Sequence, residues 1–180
     1  MSKGDNMETS KKDIFLSIVH SRKSNREFSK DKEVPKEALE TILKAAMAAP
    51  TAVSYEPWEF IAITERKVLD ALGDFLPYSK SLLTSTAAIA VCANPAVSEP
   101  YWDADCAAAS ENILLTVEAL ELGAVWTAVH PHEERFAEVR KILQLPENII
   151  PFNVIAIGYP NGSEQPTDRF KKEKVHWNKW

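Results

Sequence analysis

Apolar residues recur along the chain with two different spacings, and the change between them separates predicted helices from predicted strands. Leu39, Ile42 and Leu43 have the three- and four-residue spacing of a helix face, and Pro35 suits the first turn of that helix. Residues 58–64 instead alternate and are rich in aromatic and β-branched side chains, as in a strand. The same criteria predict helices at residues 13–20, 35–49, 65–73, 103–122 and 132–143, and strands at residues 58–64, 85–92, 124–129 and 152–159.

The order of these elements predicts an α+β fold with helices flanking a mixed central β-sheet, because no strict strand–helix–strand repeat is present. Asp13 is expected to cap the first helix, and Gly73 and Gly123 to end the third and fourth. The fourth helix is apolar almost all round, which is typical of a helix buried in a core or a subunit interface. Residues 1–10 have the pattern of a flexible leader, and residues 11–180 show no repeat or linker, so we expect one domain there.

Composition excludes several classes of protein. The 180 residues are 45% hydrophobic and 26% charged, which is ordinary for a globular chain. The net charge of −5 gives no global attraction for nucleic acid or anionic lipid. No apolar run approaches the roughly 18–20 residues that cross a bilayer, and residues 1–12 lack the apolar core of a secretory signal. We therefore expect a cytoplasmic protein with neither a nucleic-acid nor a membrane partner.

The usual signatures of metal, nucleophile and nucleotide sites are missing or weak. Cys92 and Cys106 lie in apolar or alanine-rich stretches, which favours buried, inert thiols over a disulfide or a nucleophile. His130 and His132 are spaced to chelate a metal, but Pro131 separates them and no carboxylate partner is evident, so we do not favour a metal site. The five glycines form neither a dinucleotide-binding fingerprint nor a P-loop. A phosphorylated cofactor would therefore need cationic side chains and hydroxyls.

Four segments remain as candidates for chemistry. A loop between the first two helices carries three cations and a hydroxyl within residues 22–26, and arginine can bind phosphate through two parallel hydrogen bonds. A turn at residues 49–58 combines two prolines with small side chains, which leaves room for a flat ligand. The others are the strand segment 123–128, and residues 158–160 together with the two cations Arg169 and Lys171 in the polar stretch that follows. Each segment alone also fits an ordinary solvated loop, turn, buried strand or exposed tail.

The order and separation of the four segments resemble the nitroreductase family of flavoenzymes over about residues 12–180. That family has an Arg-basic-Ser-x-Arg loop, an Ala-Pro turn ending in Pro-Trp, a long central helix followed by Leu-Gly-hydrophobic-Trp, and a Gly-Tyr-Pro strand followed by an arginine. The corresponding residues here are 22–26, 49–58, 122–126, 158–160 and 169. The resemblance implies a three-layer fold in an intertwined homodimer.

The resemblance also implies an FMN site shared by the two subunits. Arg22 and Ser24 would hold the phosphate, and Arg26 would lie at the pyrimidine edge of the ring. Arg169, with Lys171, would close over the phosphate. The turn residues 50–54 would come from the partner subunit. The strand residues 126–128 would pass the reactive edge of the flavin ring. The full set of implied cofactor-binding residues is Arg22, Lys23, Ser24, Arg26, Pro50, Thr51, Ala52, Val53, Ser54, Trp126, Thr127, Ala128, Arg169 and Lys171.

Such a protein would transfer hydride from NADH or NADPH to nitroaromatics, quinones or similar electron-poor acceptors by a ping-pong mechanism. The flavin N5 would carry the chemistry, so no catalytic side chain is expected beyond electrostatic support from Arg26. Two alternatives stay open. Dehalogenating or flavin-degrading relatives would need a lid over the ring, for which residues 72–83 are the candidate. A non-catalytic flavin-binding subunit would bind the cofactor without accepting electrons from NAD(P)H.

Four positions depart from the family pattern. Ser54 and Glu56 replace the usual Asn and Gln, Ala128 stands where Gly is common, and Glu121 interrupts the usual Gly-Leu-Gly after the long helix. The shorter Ser54 is expected to lose a direct bond to the flavin. Glu56, if close to the ring, would disfavour the anionic reduced form. These departures concern the substrate and the reduction potential more than flavin binding itself.

Overall fold

The computed structural model describes residues 10–180. It contains five helices, α1 to α5, at Lys11–Ser21, Lys36–Met47, Arg66–Phe75, Trp102–Ala119 and Glu133–Leu143. Its four strands, β1 to β4, are Trp58–Ile63, Ala87–Ala93, Gly123–Ala128 and Ile150–Gly158. Every predicted helix and strand is present, with no end shifted by more than three residues, so the α+β class is confirmed. The predicted leader lies outside the described residues except for Ser10.

The four strands form one sheet in the order β1-β2-β4-β3. All three neighbouring pairs run antiparallel, so the prediction of a mixed sheet is wrong for these strands. Within residues 10–180, the single parallel pairing is an isolated bridge between Ser24 and Ala124 at the β3 edge. Spacing patterns in a sequence report which face of a strand is buried, and they carry no information about the direction of its neighbour.

Helices cover both faces of the sheet and create two cores. On β2, which is buried throughout, Ile89 and Val91 face the core built with α2 and α4. Ala90 and Cys92 face the opposite core, which contains the apolar side of α3 and Val139 of α5. The layers are therefore helix, sheet and helix. The all-round apolar character of α4 follows from this arrangement, because α4 packs against both the sheet and α2.

Three predicted helix ends are wrong. The hydroxyl of Ser10 caps α1 by accepting from the main-chain N–H of Asp13, which was itself the predicted cap. Gly73 lies inside α3, buried where an added Cβ would come within 2.7 Å of Leu83. Helix α4 ends at Ala119, and Glu121 then takes a left-handed conformation with φ 57°. Gly123 instead opens β3.

The segment considered as a lid is anchored in the core by several of its side chains, whereas Tyr78 is exposed. Leu72, Leu76 and Leu82 are buried, and the buried Ser79 hydroxyl donates to the carbonyl of Gly73 at 3.1 Å. The short helix Lys80–Leu83 packs back onto α3. This part of the chain is therefore fixed by its own packing. Among the described helices, none is long and apolar enough to cross a membrane.

Candidate functional site

The loop between α1 and α2 is fastened along the edge of the sheet by main-chain hydrogen bonds. Asn25 donates to the carbonyl of Ala124 in β3 at 2.9 Å, and its side chain is 2% exposed. Further along the loop, Ser29 donates to Tyr159 at 2.9 Å. Gly123 permits this contact, because a Cβ at that position would lie 2.9 Å from the Asn25 side chain. The buried Asn25 leaves the charged residues on either side of it facing outward.

Those charged residues line a cleft of about 840 Å³ between the loop and the C-terminal tail. Four of the predicted residues contribute from the loop, and Arg169 contributes from the tail. The first and last sequence motifs therefore meet in one place, although 138 positions separate Arg26 from its tail partner Glu164. From the loop, the cleft is lined by Arg22, Lys23, Ser24 and Arg26.

Cations outnumber carboxylates on the walls of this cleft. Arg22, Arg26 and Arg169 carry permanent positive charge, and Lys23 adds a fourth cation whose Nζ lies 3.9 Å from Glu118 of α4. Two carboxylates, Glu164 and Asp168, lie on the tail side. The surplus of positive charge favours an anionic ligand such as a phosphate group.

Lys171, the other predicted tail cation, is exposed and is not among the residues that line the cleft. The preceding tail residues are ordered locally by Asp168, whose Oδ1 accepts from the main-chain N–H of Phe170 at 3.0 Å. The structure thus brings Arg169 to the basic loop and leaves Lys171 beyond the cleft of its own chain.

The proline turn is a separate structure, held by a buried carboxylate. Asp105 of α4 is 5% exposed; its Oδ1 accepts from the N–H of Ala52 at 2.9 Å and its Oδ2 from the Ser98 hydroxyl at 2.8 Å. Val53 and Ser54 then take left-handed conformations, with φ 54° and 58°. For a β-branched residue such as Val53 this conformation is strained, and it persists only where the surroundings hold it.

None of the turn residues lines the basic cleft of the same chain. Thr51 and Ala52 are partly buried, whereas the remaining members, Pro50, Val53 and Ser54, are exposed. The departure at Glu56 is exposed as well, and it too has a positive φ of 52°.

The third predicted segment lies on β3, the last strand at one edge of the described sheet. Trp126 is half-buried and packs edge-on against Phe152, with ring centroids 5.5 Å apart. Thr127 is buried, and no partner for its hydroxyl is present among the described residues. Ala128 is exposed, and its carbonyl accepts from Arg135 at 2.8 Å. The segment therefore begins beside the basic loop and leads away from it along the edge.

Of the two histidines, only His130 has a packing role. The His130 ring is stacked against Phe136 and Phe152 and meets Trp102 edge-on with centroids 4.7 Å apart. His132 instead lies near Glu134. In residues 10–180, no cluster of three or more potential metal ligands is found.

Both cysteines are buried and free, as expected for inert thiols. Burial raises the pKa of the Cys92 thiol to about 12, and the nearby Glu59 charge adds to the increase. Burial likewise raises the pKa of Cys106. A thiol that stays protonated at neutral pH is a poor nucleophile, so neither cysteine is a candidate for covalent catalysis.

Sequence reasoning missed two residues that shape the site, Asp105 and Glu164. Asp105 falls in the first turn of the helix predicted at residues 103–122, where a carboxylate next to an alanine-rich apolar face is a signal of burial with specific partners. Glu164 lies in a polar stretch without pattern, and no local signal distinguishes it from its neighbours.

Comparison with known proteins identifies the family of the chain. The Nitroreductase family model matches residues 19–88 and 78–159. A protein of Archaeoglobus fulgidus, provisionally named NADH dehydrogenase/NAD(P)H nitroreductase, is 41% identical over 171 residues, which cover 92% of this chain and 98% of the relative.

Solved structures extend the comparison to the fold. A Bacteroides thetaiotaomicron protein of the same provisional name has a TM-score of 0.90 at 43% identity, covering 96% of this chain and all of its own. An FMN-dependent nitroreductase from Clostridium difficile has a TM-score of 0.86 at 26% identity, covering 92% of this chain and 99% of its own. With matches that extend over most of the chain in both sequence and fold, the protein belongs to the nitroreductase family of enzymes.

Proposed function

We propose that the protein binds FMN and transfers hydride from NADH or NADPH to an electron-poor acceptor, such as a nitroaromatic compound or a quinone, in a ping-pong reaction. The observation that supports this most is the single cleft to which Arg22, Arg26 and Arg169 contribute from distant parts of the chain. Family membership and the similarity to an FMN-dependent nitroreductase support the same function.

The residues of the cleft suit the phosphate end of FMN. Arg22 can form two charge-assisted hydrogen bonds to phosphate oxygens, and the Ser24 hydroxyl can donate another. Arg169 would close over the phosphate from the tail, with Lys23 adding to the positive field and Lys171 approaching from outside. No glycine-rich phosphate loop is required for this arrangement, in agreement with the sequence.

When bound, FMN supplies the acceptance and donation of hydride that the reaction requires. The protein contributes position and charge. Arg26 would lie at the pyrimidine edge, where its positive charge stabilises the negative charge that accumulates on reduction. An acid–base triad is not needed for this role, and none is proposed. Trp126, Thr127 and Ala128 would border the reactive edge.

The complete site would be formed by a homodimer. Helix α1 exposes Ile14, Phe15 and Leu16 on one chain, and the tail exposes Trp177 and Trp180, which are 84% and 100% accessible. Apolar side chains exposed together are typical of a subunit interface. The partner's turn at residues 50–54 would then complete the pocket that the basic cleft begins.

An absorbance scan of the purified protein tests the function directly. We expect the flavin bands in the visible blue, and we expect NADH or NADPH to bleach them under anaerobic conditions and an acceptor to restore them. A colourless protein that takes up no added FMN would refute the proposal. Flavin bands that neither donor bleaches would instead support the non-catalytic alternative.

A further inference from the structure

One carboxylate reaches across the basic cleft and contacts the loop. Glu164 Oε1 accepts from the main-chain N–H of Arg26 at 2.9 Å. The other oxygen, Oε2, is shielded from solvent, although the residue as a whole is only partly buried. The bond from Arg26 keeps the pKa of this carboxyl below its ordinary value, and the Arg26 charge contributes in the same direction. Glu164 therefore carries a negative charge beside Arg26 at neutral pH.

The tail places Glu164 there through a series of backbone contacts. Phe28 forms an isolated antiparallel bridge with Pro160, and Asn161 donates to the carbonyl of Glu27 at 3.0 Å. At Gly162 the absence of a side chain leaves room for the Glu164 carboxylate, which a Cβ at that position would displace. The loop and the tail thus form one unit, and Glu164 lies between them.

We propose that Glu164 is a positioning residue that holds Arg26 at the flavin and offsets part of its charge, and so lowers the reduction potential of the bound cofactor. This inference rests on the proposed function, and in particular on Arg26 lying at the pyrimidine edge. Reduction adds negative charge to that edge, and a fixed carboxylate nearby makes the addition less favourable. Hydrogen bonds from the Arg26 N–H, from the N–H of Glu164 itself and from the Asn25 side chain all favour the ionised carboxylate, so its negative charge is retained beside Arg26.

Two substitutions separate the charge of Glu164 from its hydrogen bond. Glu164→Gln keeps an oxygen that can accept from the Arg26 N–H and removes the charge. Glu164→Ala removes both. We expect the midpoint potential of FMN bound to E164Q to shift to more positive values with FMN affinity retained within about threefold. We expect E164A to weaken FMN binding as well, because the loop and the tail lose their connection.

The measurement is a spectroelectrochemical or dye-equilibrated reduction of the purified holoprotein, with FMN dissociation measured separately by fluorescence. Glu147→Gln is the matched control, since Glu147 is an exposed carboxylate in the turn between α5 and β4, and its potential should equal that of the wild type.

The outcomes distinguish this inference from the proposed function. If the wild type holds FMN and E164Q leaves the potential unchanged, Glu164 acts only as an anchor for the tail and the inference is wrong. If E164Q lowers the potential, the electrostatic argument is also wrong. A wild-type protein that binds no FMN would instead overturn the proposed function itself.

Discussion

At the scale of single residues, the argument depends most on Arg22. Its guanidinium is assigned to the phosphate, and one charge-assisted hydrogen bond contributes roughly 1.5–3 kcal/mol. We therefore expect Arg22→Ala to weaken FMN binding about ten- to hundred-fold, measured by fluorescence titration of the apoprotein. Arg22→Lys keeps the charge but loses the two-pronged contact, so its loss should be smaller. Unchanged FMN retention in Arg22→Ala would contradict the assignment.

The two buried thiols predict a dependence of stability on alkaline pH. Their folded-state pKa values are raised, to about 12 for Cys92 from an ordinary value of 9.0, so the folded protein keeps protons that the unfolded chain releases. This contribution is fully present below about pH 9 and is lost as the pH rises towards 12. We expect the unfolding free energy to fall across that range, as measured by denaturant titration.

A Cys92→Ala, Cys106→Ala double variant is the control for this prediction, because lysines and tyrosines also titrate at alkaline pH. Its stability should decline less steeply than that of the wild type. A thiol reagent should modify both cysteines in denaturant and neither in the native protein at pH 7. Rapid modification of native Cys92 would show that the thiol is accessible and would oppose the assignment.

At the scale of elements, α4 determines the shape of the proline turn through Asp105. Asp105→Ala removes the acceptor for both the Ala52 N–H and the Ser98 hydroxyl. We expect the unfolding free energy to fall by about 2–3 kcal/mol, because hydrogen bonds to a charged group are lost and their donors stay partly buried. If the turn also contributes to a partner's site, the circular dichroism of bound FMN should change.

Asp103→Ala is the matched control for Asp105, since Asp103 lies in the same first turn of α4 and its carboxylate accepts only from its neighbour Ala104 among the described residues. Both variants lose a similar favourable interaction with the helix dipole, so the difference between them isolates the turn. Equal destabilisation by the two substitutions would show that Asp105 does not hold the turn.

The same scale explains the unusual end of α4. Glu121 occupies the left-handed position at which glycine is usual in the family. This conformation costs an L-residue about 1–2 kcal/mol. The departure noted from the sequence is therefore accommodated by the backbone without a change of fold. The following Leu122 N–H bonds to the carbonyl of Val117 at 3.0 Å, which closes the helix end.

At the scale of the whole molecule, the prediction concerns assembly. Native mass measured by light scattering should be twice that of one chain. Removal of residues 172–180 should convert a substantial fraction to monomer and release flavin, because the contacts that Trp177 and Trp180 would make with the partner subunit are removed. Tyr78→Ser is the control, since Tyr78 is 98% exposed on the turn after α3 and should leave the dimer intact. A wild-type monomer that retains FMN would exclude a shared site.

Much of the fold could be predicted because its signals are local. The spacing of Leu39, Ile42 and Leu43 specifies a buried helix face whatever the helix packs against, and the unbroken apolar run of β2 specifies a strand covered on both sides. Helix ends were less predictable, since several residues compete for each cap. Ser10 caps α1 in place of the predicted Asp13. No pattern in the sequence near Gly73 indicates that Leu83 packs against it.

The sequence by itself determined the helix and strand inventory, the α+β class, the buried thiols and the residue types able to bind a phosphate, because each depends on short-range spacing and on side-chain chemistry. Only the tertiary structure decided that the sheet is antiparallel, that Arg169 meets Arg22 and Arg26 in one cleft, that Asp105 holds the turn and that Glu164 contacts the loop. Those features are contacts between residues far apart in the chain, and they exist only once the packing of both cores has brought the segments together.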